Sequence, residues 1–498
     1  MNQNNAQQDN PIENTTTIEN TISRHVAVAI IGAGTAGQNA FRQAQKTTEN
    51  IVIINDGFWT TTCATVGCMP SKLLIAAAER AHDAKHSEAF GITNDVHIDG
   101  KQVMKRVQNE RDYFTQNIQK RVEDWDASKK IEGKAWINHD GIIEVNHEKI
   151  KADKVIIATG SSPFVPDGWS DNLKDKLLTS DSVFELTDLP KSLAVIGAGA
   201  IGLELAQAFS RLGVAVTLFN QKSQVGGLID EAINHKAIDC FSSELTLQLG
   251  SKITDVSIDQ DNSAVVQFDD HDGHLQSWRG DFVLVATGRR NHLKALGIEN
   301  LGVKLDDKER PIDLNINTGQ IGDLEVYVIG DANAHLPLLH VASDEGFSAG
   351  SAVCRNNFGA YIRAPAIPMS IIFTAPQIAN VGKSLTDIKN ANLNFVIGKV
   401  SFDNQGRSRI MGVNCGLLHI YACKETDRIL GASMVAPDAE YLAHILAIAI
   451  TNQLSVKQLL DAPFYHPTIL EGLRTALRDI QLKMKIPYQT EDSKGDGF

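Results

Sequence analysis

His25-Val-Ala-Val-Ala-Ile-Ile31, then Gly32-Ala-Gly34-Thr-Ala-Gly37, then Gln38-Asn-Ala-Phe41 is the stretch that decides the fold. The apolar run reads as a buried strand and the segment after the glycines as a helix. Between them the three glycines meet three demands: a tight turn, close approach of backbone to a pyrophosphate, and packing of helix against strand. The helix N-terminus then faces the phosphates. The same order recurs at Leu193-Ala-Val-Ile196, Gly197-Ala-Gly199-Ala-Ile-Gly202 and Leu203-Glu204-Leu205-Ala206. A glycine pattern alone is a weak signal. A strand before it and a helix after it, twice in one chain, predict two dinucleotide-binding folds and electron transfer between two cofactors.

Between the two fingerprints lies Thr62-Cys-Ala-Thr-Val-Gly-Cys-Met-Pro-Ser-Lys72. Pro70 suits a first helical turn, and Leu73, Leu74, Ala77, Ala78 and Ala81 read as the buried face of the helix that follows. Cys68 is thereby placed near a helix N-terminus, where the macrodipole and free N–H groups stabilise a thiolate. Two such thiols can also merely fill space. Zinc fits poorly, because the next histidine is His82, a few turns on, and no metal is expected. The six cysteines are too few for a disulfide framework, so a Cys63–Cys68 bridge is expected to be catalytic. Cys240, Cys354, Cys415 and Cys423 are expected to be inert.

A chain of 498 residues suggests about three domains or more. Its formal charge of −13 argues against nucleic acid as a partner, since phosphate contacts need a basic footprint. No apolar run is long enough to span a bilayer, so no membrane association is expected. Residues 1–24 are rich in Asn, Gln and Thr and resemble neither a secretory signal nor an Arg-rich transit peptide. They are expected to be a disordered tail on a cytoplasmic protein.

The run from Cys63 to Lys72 resembles the redox-active element of the class I pyridine nucleotide-disulfide oxidoreductases, a family of flavoproteins. Other segments resemble the same family: Val155-Ile-Ile-Ala-Thr-Gly160-Ser-Ser-Pro163, Phe282-Val-Leu-Val-Ala-Thr-Gly288-Arg289, Val326-Tyr-Val-Ile-Gly330-Asp331 and the helix after Pro337. Toward the C-terminus, Ile371-Ile-Phe-Thr-Ala-Pro376, Lys424-Glu-Thr-Asp-Arg-Ile-Leu-Gly431 and Phe464-Tyr-His466-Pro-Thr-Ile-Leu-Glu471 do so too. The resemblance runs from about His25 to about Ile486. It implies an α/β fold with two Rossmann-like dinucleotide-binding domains, for FAD (25–163) and NAD(P) (164–284). A central domain (285–358) completing the FAD site, a C-terminal α+β dimerisation domain (359–486) and a tail (487–498) follow.

Roles follow from the same resemblance. Cys63 is the interchange thiol and Cys68 the thiol beside the flavin. His466 is the base, oriented by Glu471 and acting on the disulfide of the partner subunit in a homodimer, with a cis peptide before Pro467. Lys72 and Glu204 form an ion pair near the reactive end of the flavin, and Asp331 binds its ribityl chain. The cofactor-binding residues are Gly32, Gly34, Gly37, Asn55, Asp56, Lys72, Gly133, Thr159, Gly160, Asp331 and Leu339, with Gly197, Gly199, Gly202, Glu204, Asn220, Lys222, Gly288 and Arg289. On the residues alone, His466 also fits a structural role, Lys72 and Glu204 fit exposed helix positions, and Asp331 fits a helix cap.

The chain departs from the pattern in three places. Asn55, beside Asp56, stands where a ribose-binding acid belongs, and Thr61-Thr62 replaces a Gly-Gly that often precedes the first cysteine. Asn220-Gln221-Lys222 offers neither the acid that binds a ribose 2′-hydroxyl nor an arginine for a 2′-phosphate. NAD is expected from the resemblance, with NADP as the alternative. The implied activity is oxidation of protein-bound dihydrolipoamide through Cys63–Cys68 and FAD to reduce NAD, with a lipoyl-bearing protein of a 2-oxo acid dehydrogenase or glycine-cleavage system as partner. A glutathione-reductase-like NADPH-dependent disulfide reductase and a redox-sensing flavoprotein subunit are the alternatives. The lack of cysteines after Cys423 weighs against branches with a C-terminal thiol pair, and the intact pair against soluble transhydrogenase.

Overall fold

The computed structural model describes residues 22–353 and 367–486. The N-terminal tail up to residue 21, the C-terminal tail from 487 and Cys354 lie outside the described residues. Strand β1 (Arg24–Ile31) runs parallel to both β2 (Ile51–Asn55) and β6 (Glu148–Ile157), with Val28 opposite Ile51 and Ala29 opposite Val155. It is buried on both sides, as a continuous apolar run requires. Val26, Ala29 and Ile31 enter one hydrophobic cluster, Val28 and Ile30 the opposite one.

Helix α1 (Thr35–Ala44) joins β1 to β2, and three helices fill the long excursion after β2: α2 (Thr62–Thr65), α3 (Cys68–Lys85) and α4 (Gly100–Glu123). Strands β3 (Lys130–Glu132), β4 (Ala135–Ile137) and β5 (Ile143–Val145) complete the order β3-β2-β1-β6-β5-β4. From β7 (Ser161–Pro163) the chain enters a second parallel sheet, past the short helix α5 (Trp169–Leu173).

That sheet has the order β11-β10-β9-β15-β8. Its strands are β8 (Leu177–Leu178), β9 (Ser192–Ile196), β10 (Ala215–Asn220), β11 (Thr246–Leu249) and β15 (Phe282–Val285). Its helices are α6 (Ala200–Arg211) and α7 (Glu231–Phe241). An antiparallel flap of β12 (Lys252–Ile258), β13 (Ala264–Asp269) and β14 (Leu275–Gly280) precedes β15. The chain returns through β16 (Arg289–Asn291), antiparallel to β7, and the short helix α8 (Leu293–Leu296).

Strand β17 (Val326–Val328) then joins the first sheet beside β6, and α9 (Leu339–Ala352) packs on α1. The two helices touch backbone to backbone: a Cβ on Gly346 would lie 2.3 Å from the Ala36 carbonyl oxygen, and one on Gly350 2.5 Å from that of Ala40.

The C-terminal unit is an antiparallel sheet in the order β18-β19-β22-β21-β20. Its strands are β18 (Met369–Ile372), β19 (Gln377–Gly382), β20 (Phe395–Ser401), β21 (Leu417–Cys423) and β22 (Ile429–Ala436). Helices α10 (Leu385–Asn390), α11 (Gly406–Met411), α12 (Ala439–Thr451), α13 (Val456–Leu460) and α14 (Glu471–Met484) accompany it. Among the described residues, no helix is long and apolar enough to cross a membrane.

One expectation is corrected. Cys240, on α7, and Cys415, just before β21, form a disulfide, so these two cysteines are not inert thiols. They are 175 residues apart in sequence and come together only because α7 packs on the C-terminal sheet. Cys423 is a free thiol that donates to Glu425 Oε2 at 3.1 Å.

Candidate active site

Thr61 starts α2 by accepting the Ala64 N–H on its hydroxyl. Gly67 precedes α3 at a point where a Cβ would lie 2.9 Å from the Thr62 carbonyl oxygen, which favours glycine between the two cysteines. Cys68 is the first residue of α3, and Pro70, Ser71, Leu74, Ile75, Ala78 and Ala81 form the buried face. Ile75 thus takes a place expected of Leu73 and Ala77, which pack half-buried at the edge.

Both thiols are free. The hydrogen bond from Cys63 is the main cause that lowers the Cys68 thiol to about 6, with the Lys72 charge acting the same way. That same bond, with burial, pushes Cys63 up. Of the pair, Cys68 is therefore the thiolate near neutral pH.

Lys72, one turn along α3, reaches Glu204 on α6 at 2.8 Å, and its Nζ lies 4.6 Å from the centre of the Phe373 ring. Glu204 is 6% exposed, and its other oxygen accepts the Phe373 N–H at 2.9 Å. The pair is a half-buried tie between the dithiol helix and the second nucleotide fold rather than two exposed charges.

The two glycine turns are built alike. A Cβ on Gly37 or Gly202 would lie 1.8 Å from the carbonyl oxygen of Gly32 or Gly197, whereas at Gly34 and Gly199 nothing lies within 4 Å. Neither α1 nor α6 has a side-chain cap, so their first N–H groups remain available to a phosphate. Asn55 Oδ1 accepts the Ala33 N–H at 2.9 Å, and its amide donates to the Phe58 carbonyl. Asn220 repeats this, accepting from Ala198 at 3.4 Å and donating to the Lys222 and Gln224 carbonyls. The side chains of Asp56 and Lys222 are exposed beside them.

Around the first turn, Thr159 Oγ1 is buried without a hydrogen-bond partner. Gly160 and Gly288 have φ of +68° and +127° with open space where a Cβ would stand, while Gly133 packs against Asn146 and Val145. Ser161 links two further candidates: its hydroxyl donates to Asp331 at 3.0 Å and accepts from Arg289 Nε at 2.9 Å. Glu345 accepts the Gly330 N–H and the Asn333 amide, which fixes the turn carrying Asp331, and burial pushes its carboxyl up to about 7. Leu339 is exposed at the start of α9.

The open space over Gly34, the uncapped α1 and the orphaned Thr159 hydroxyl fit a dinucleotide on the first fold. A cleft of about 520 Å³ lies at the Phe58 turn that Asn55 holds, lined also by Trp59, Gln119, Glu123 and Lys130.

At the other end of the chain, His466 Nδ1 lies 3.0 Å and 3.1 Å from the two Glu471 carboxylate oxygens, and the bond before Pro467 is cis. Glu471 also accepts the Thr468 N–H, and its carboxyl is lowered first by the histidine bond. The imidazole is 80% exposed and makes no hydrogen bond to Cys63 or Cys68 of its own chain. The sequence carries no signal for Ser161, Phe373 and Glu345 as site residues. They act through a hydroxyl bridge, a backbone N–H and a turn, and none has a sequence spacing of its own.

Residues 26–346 match the family model of pyridine nucleotide-disulphide oxidoreductases, and residues 368–477 match the dimerisation domain of that family. The chain belongs to this family, whose cofactors are FAD and a pyridine nucleotide. It is an α/β flavoprotein oxidoreductase with a dimerisation domain.

A dihydrolipoyl dehydrogenase of Chlamydia pneumoniae is 31% identical over 451 residues, 89% of this chain and 94% of that protein. Another, of Thermus scotoductus, is 31% identical over 456 residues, 90% and 95% of the two chains. Among solved structures, LpdA from Mycobacterium tuberculosis aligns with a TM-score of 0.77 at 22% identity, over 92% of this chain and 99% of its own. The HOCl-induced flavoprotein disulfide reductase RclA from Escherichia coli, as its Cu(II) complex, gives 0.76 at 21%, over 91% and 99%. These two likenesses are of fold.

Proposed function

We propose that the chain is a dihydrolipoyl dehydrogenase, oxidising the dihydrolipoyl arm of a carrier protein and reducing NAD. The observation that carries this reading is the dithiol: Cys68 opens a helix, is lowered to about 6, and has Lys72 one turn away, in a chain matched along most of its length by relatives of that name.

Starting from the Cys63–Cys68 disulfide, a substrate thiolate attacks Cys63. The disulfide breaks, and Cys68 leaves as a thiolate favoured by the helix N-terminus and Lys72. His466 of the partner subunit then takes the proton of the second substrate thiol through Nε2, while Glu471 holds the Nδ1–H. That thiolate closes the substrate disulfide and releases Cys63. FAD bound there would supply a two-electron acceptor for the Cys63–Cys68 dithiol and hydride chemistry toward NAD. The Gly32–Gly37 turn with Thr159, Asp331 and the Asn55 loop would hold FAD, and the Gly197–Gly202 turn with Asn220 would hold NAD.

The neutral Asn220 supports NADP as a second acceptor, since no acid repels a 2′-phosphate there. Steady-state assays of one FAD-loaded preparation test both points, pairing NAD or NADP with dihydrolipoamide, and NADH or NADPH with glutathione disulfide. Turnover of dihydrolipoamide with NAD, lost in Cys63→Ser and Cys68→Ser, is the expected result. Preference for glutathione disulfide and NADPH would overturn the reading.

A further inference from the structure

Helix α7 is tied to the C-terminal unit at three points along its length. At its N-cap, Asp230 accepts from His419 Nδ1 at 2.7 Å and from the Tyr421 hydroxyl at 2.8 Å, all three side chains being buried. One and a half turns on, Lys236 pairs with Asp403, and one turn further Cys240 bonds to Cys415. Lys236 and Cys240 are four residues apart and share a helix face. Asp403 and Cys415 flank α11, so the segment 403–415 is pinned to α7 at both ends.

The same segment supports the histidine loop. Gln405 Nε2 donates to the Thr468 carbonyl at 2.8 Å, two residues from His466. Arg407 and Met411 of α11 also line a groove with Pro467, Thr468, Ile469 and Leu470.

We propose that Cys240 and Cys415 are a second thiol–disulfide site, separate from Cys63 and Cys68, whose oxidised form clamps the 403–415 segment and so positions the His466 loop. The positioning half rests on the reading of His466 as the proton acceptor. In oxidation the two thiols give two electrons and two protons to a low-molecular-weight disulfide, which becomes two thiols. In reduction a dithiol's thiolate attacks the sulfur of Cys415, the more exposed of the two residues. The Cys240–Cys415 bond breaks, Cys240 leaves and takes up a proton, and the second thiol closes the reductant's own disulfide while releasing Cys415. Partial exposure makes such a bridge reducible, unlike a fully enclosed one.

The test uses full-length, FAD-loaded enzyme. In a Cys63→Ser/Cys68→Ser background, incubation with oxidised glutathione is expected to yield a Cys240–Cys415 cross-linked peptide by mass spectrometry, and dithiothreitol two alkylatable thiols. Full alkylation of both cysteines after oxidised glutathione would overturn the site.

With the other cysteines intact, Cys415→Ser is expected to speed tryptic cleavage at Arg407 and Arg409 by about tenfold, because local opening sets such rates. An unchanged rate would overturn the clamp. Cys415→Ser and Gln405→Ala are each expected to slow the dithiol half-reaction about tenfold through misplacement of the base. Reduction of the flavin by NADH, which does not use His466, should stay within about twofold of the wild-type rate. A dithiol half-reaction as fast as wild type in both variants would overturn the positioning. Should the parent enzyme oxidise no dithiol, the proposed function and the positioning role fall together, while the cross-link and cleavage results still decide the site and its clamp.

Discussion

The two glycine turns share the same geometry, from the 1.8 Å closure at Gly37 and Gly202 to the inward asparagines at Asn55 and Asn220. The helices they open do different work. Helix α1 is gripped by α9 backbone to backbone through Gly346 and Gly350. Helix α6 is almost wholly buried and attaches through polar side chains: Glu204 to Lys72 and Phe373, Gln207 to the Ala375 backbone, and Arg211 to Glu244. The fingerprint specifies the turn, and the remaining faces of each helix specify its neighbours. A small-residue contact holds one fold rigidly to its own α9, whereas a polar net joins the other to the dithiol helix and the C-terminal unit.

Replacing the closing glycines tests the shared part and should give the largest effect. Gly37→Ala and Gly202→Ala each drive a methyl into a carbonyl oxygen, and each is expected to cost more than about 4 kcal/mol, seen as loss of soluble folded protein or a collapse of the urea midpoint. Gly34→Ala and Gly199→Ala have room, so both should fold. The first should lose flavin absorbance, and the second should keep it while weakening NAD binding. A Gly37→Ala protein as stable as wild type would break the equivalence of the two turns.

The last-turn arginines probe where the helices differ. Arg211 makes two bonds to Glu244, at 2.6 Å and 2.8 Å, and one to the Ala375 carbonyl, while Arg42 is exposed. Arg211→Ala strands a mostly buried carboxylate and should destabilise by about 3 kcal/mol. Arg42→Ala should stay within about 0.5 kcal/mol in the same melt. Equal costs would mean that the polar net around α6 contributes nothing beyond a surface charge.

Much of this was legible because local chemistry repeats at fixed spacing. Strand, glycine turn and helix could be read twice, and Cys68 could be placed at a helix start from Pro70 and the apolar face behind it. The Cys240–Cys415 bridge was not legible, since the two cysteines are 175 residues apart in sequence and meet only through the packing of α7 on the C-terminal sheet. Asn55 and Asn220 were visible as missing acids, yet their inward hydrogen bonds were not, because a side chain that closes its own loop leaves no trace in spacing. Ser161 and Phe373 were hidden because their partners lie far off in the chain, Asp331 and Arg289 for the hydroxyl and Glu204 for the backbone N–H.

The Lys72–Glu204 pair joins the compared regions, and its two charges act on Cys68 in opposite senses. Lys72 lowers that thiol, so Lys72→Met should raise the midpoint for alkylation of the reduced enzyme by about one pH unit, from near 6 toward the ordinary thiol range. Glu204 raises it, so Glu204→Gln should move the midpoint down. Thiolate is present above the midpoint and lost as pH falls through it, so Lys72→Met reacts more slowly than wild type at pH 6 to 7. Shifts of the same sign in both variants would show that the charges do not control the thiol.

The smallest effect should come from the asparagines. At the second turn, Asn220→Glu places a carboxylate at the end of β10, where it would accept ribose hydroxyls and repel a 2′-phosphate. It should raise the ratio of kcat/KM for NAD over NADP by about tenfold, the value of roughly 1.4 kcal/mol between the two nucleotides. FAD carries no 2′-phosphate, so the matching change, Asn55→Glu, has nothing to repel and should leave flavin content close to wild type. The two substitutions alter the same position of the same turn, and only the ligand differs between them. A tenfold shift at Asn220 with none at Asn55 would assign nucleotide choice to the end of the second strand. An unmoved ratio would transfer that choice to the exposed residues beyond it, Gln221 and Lys222.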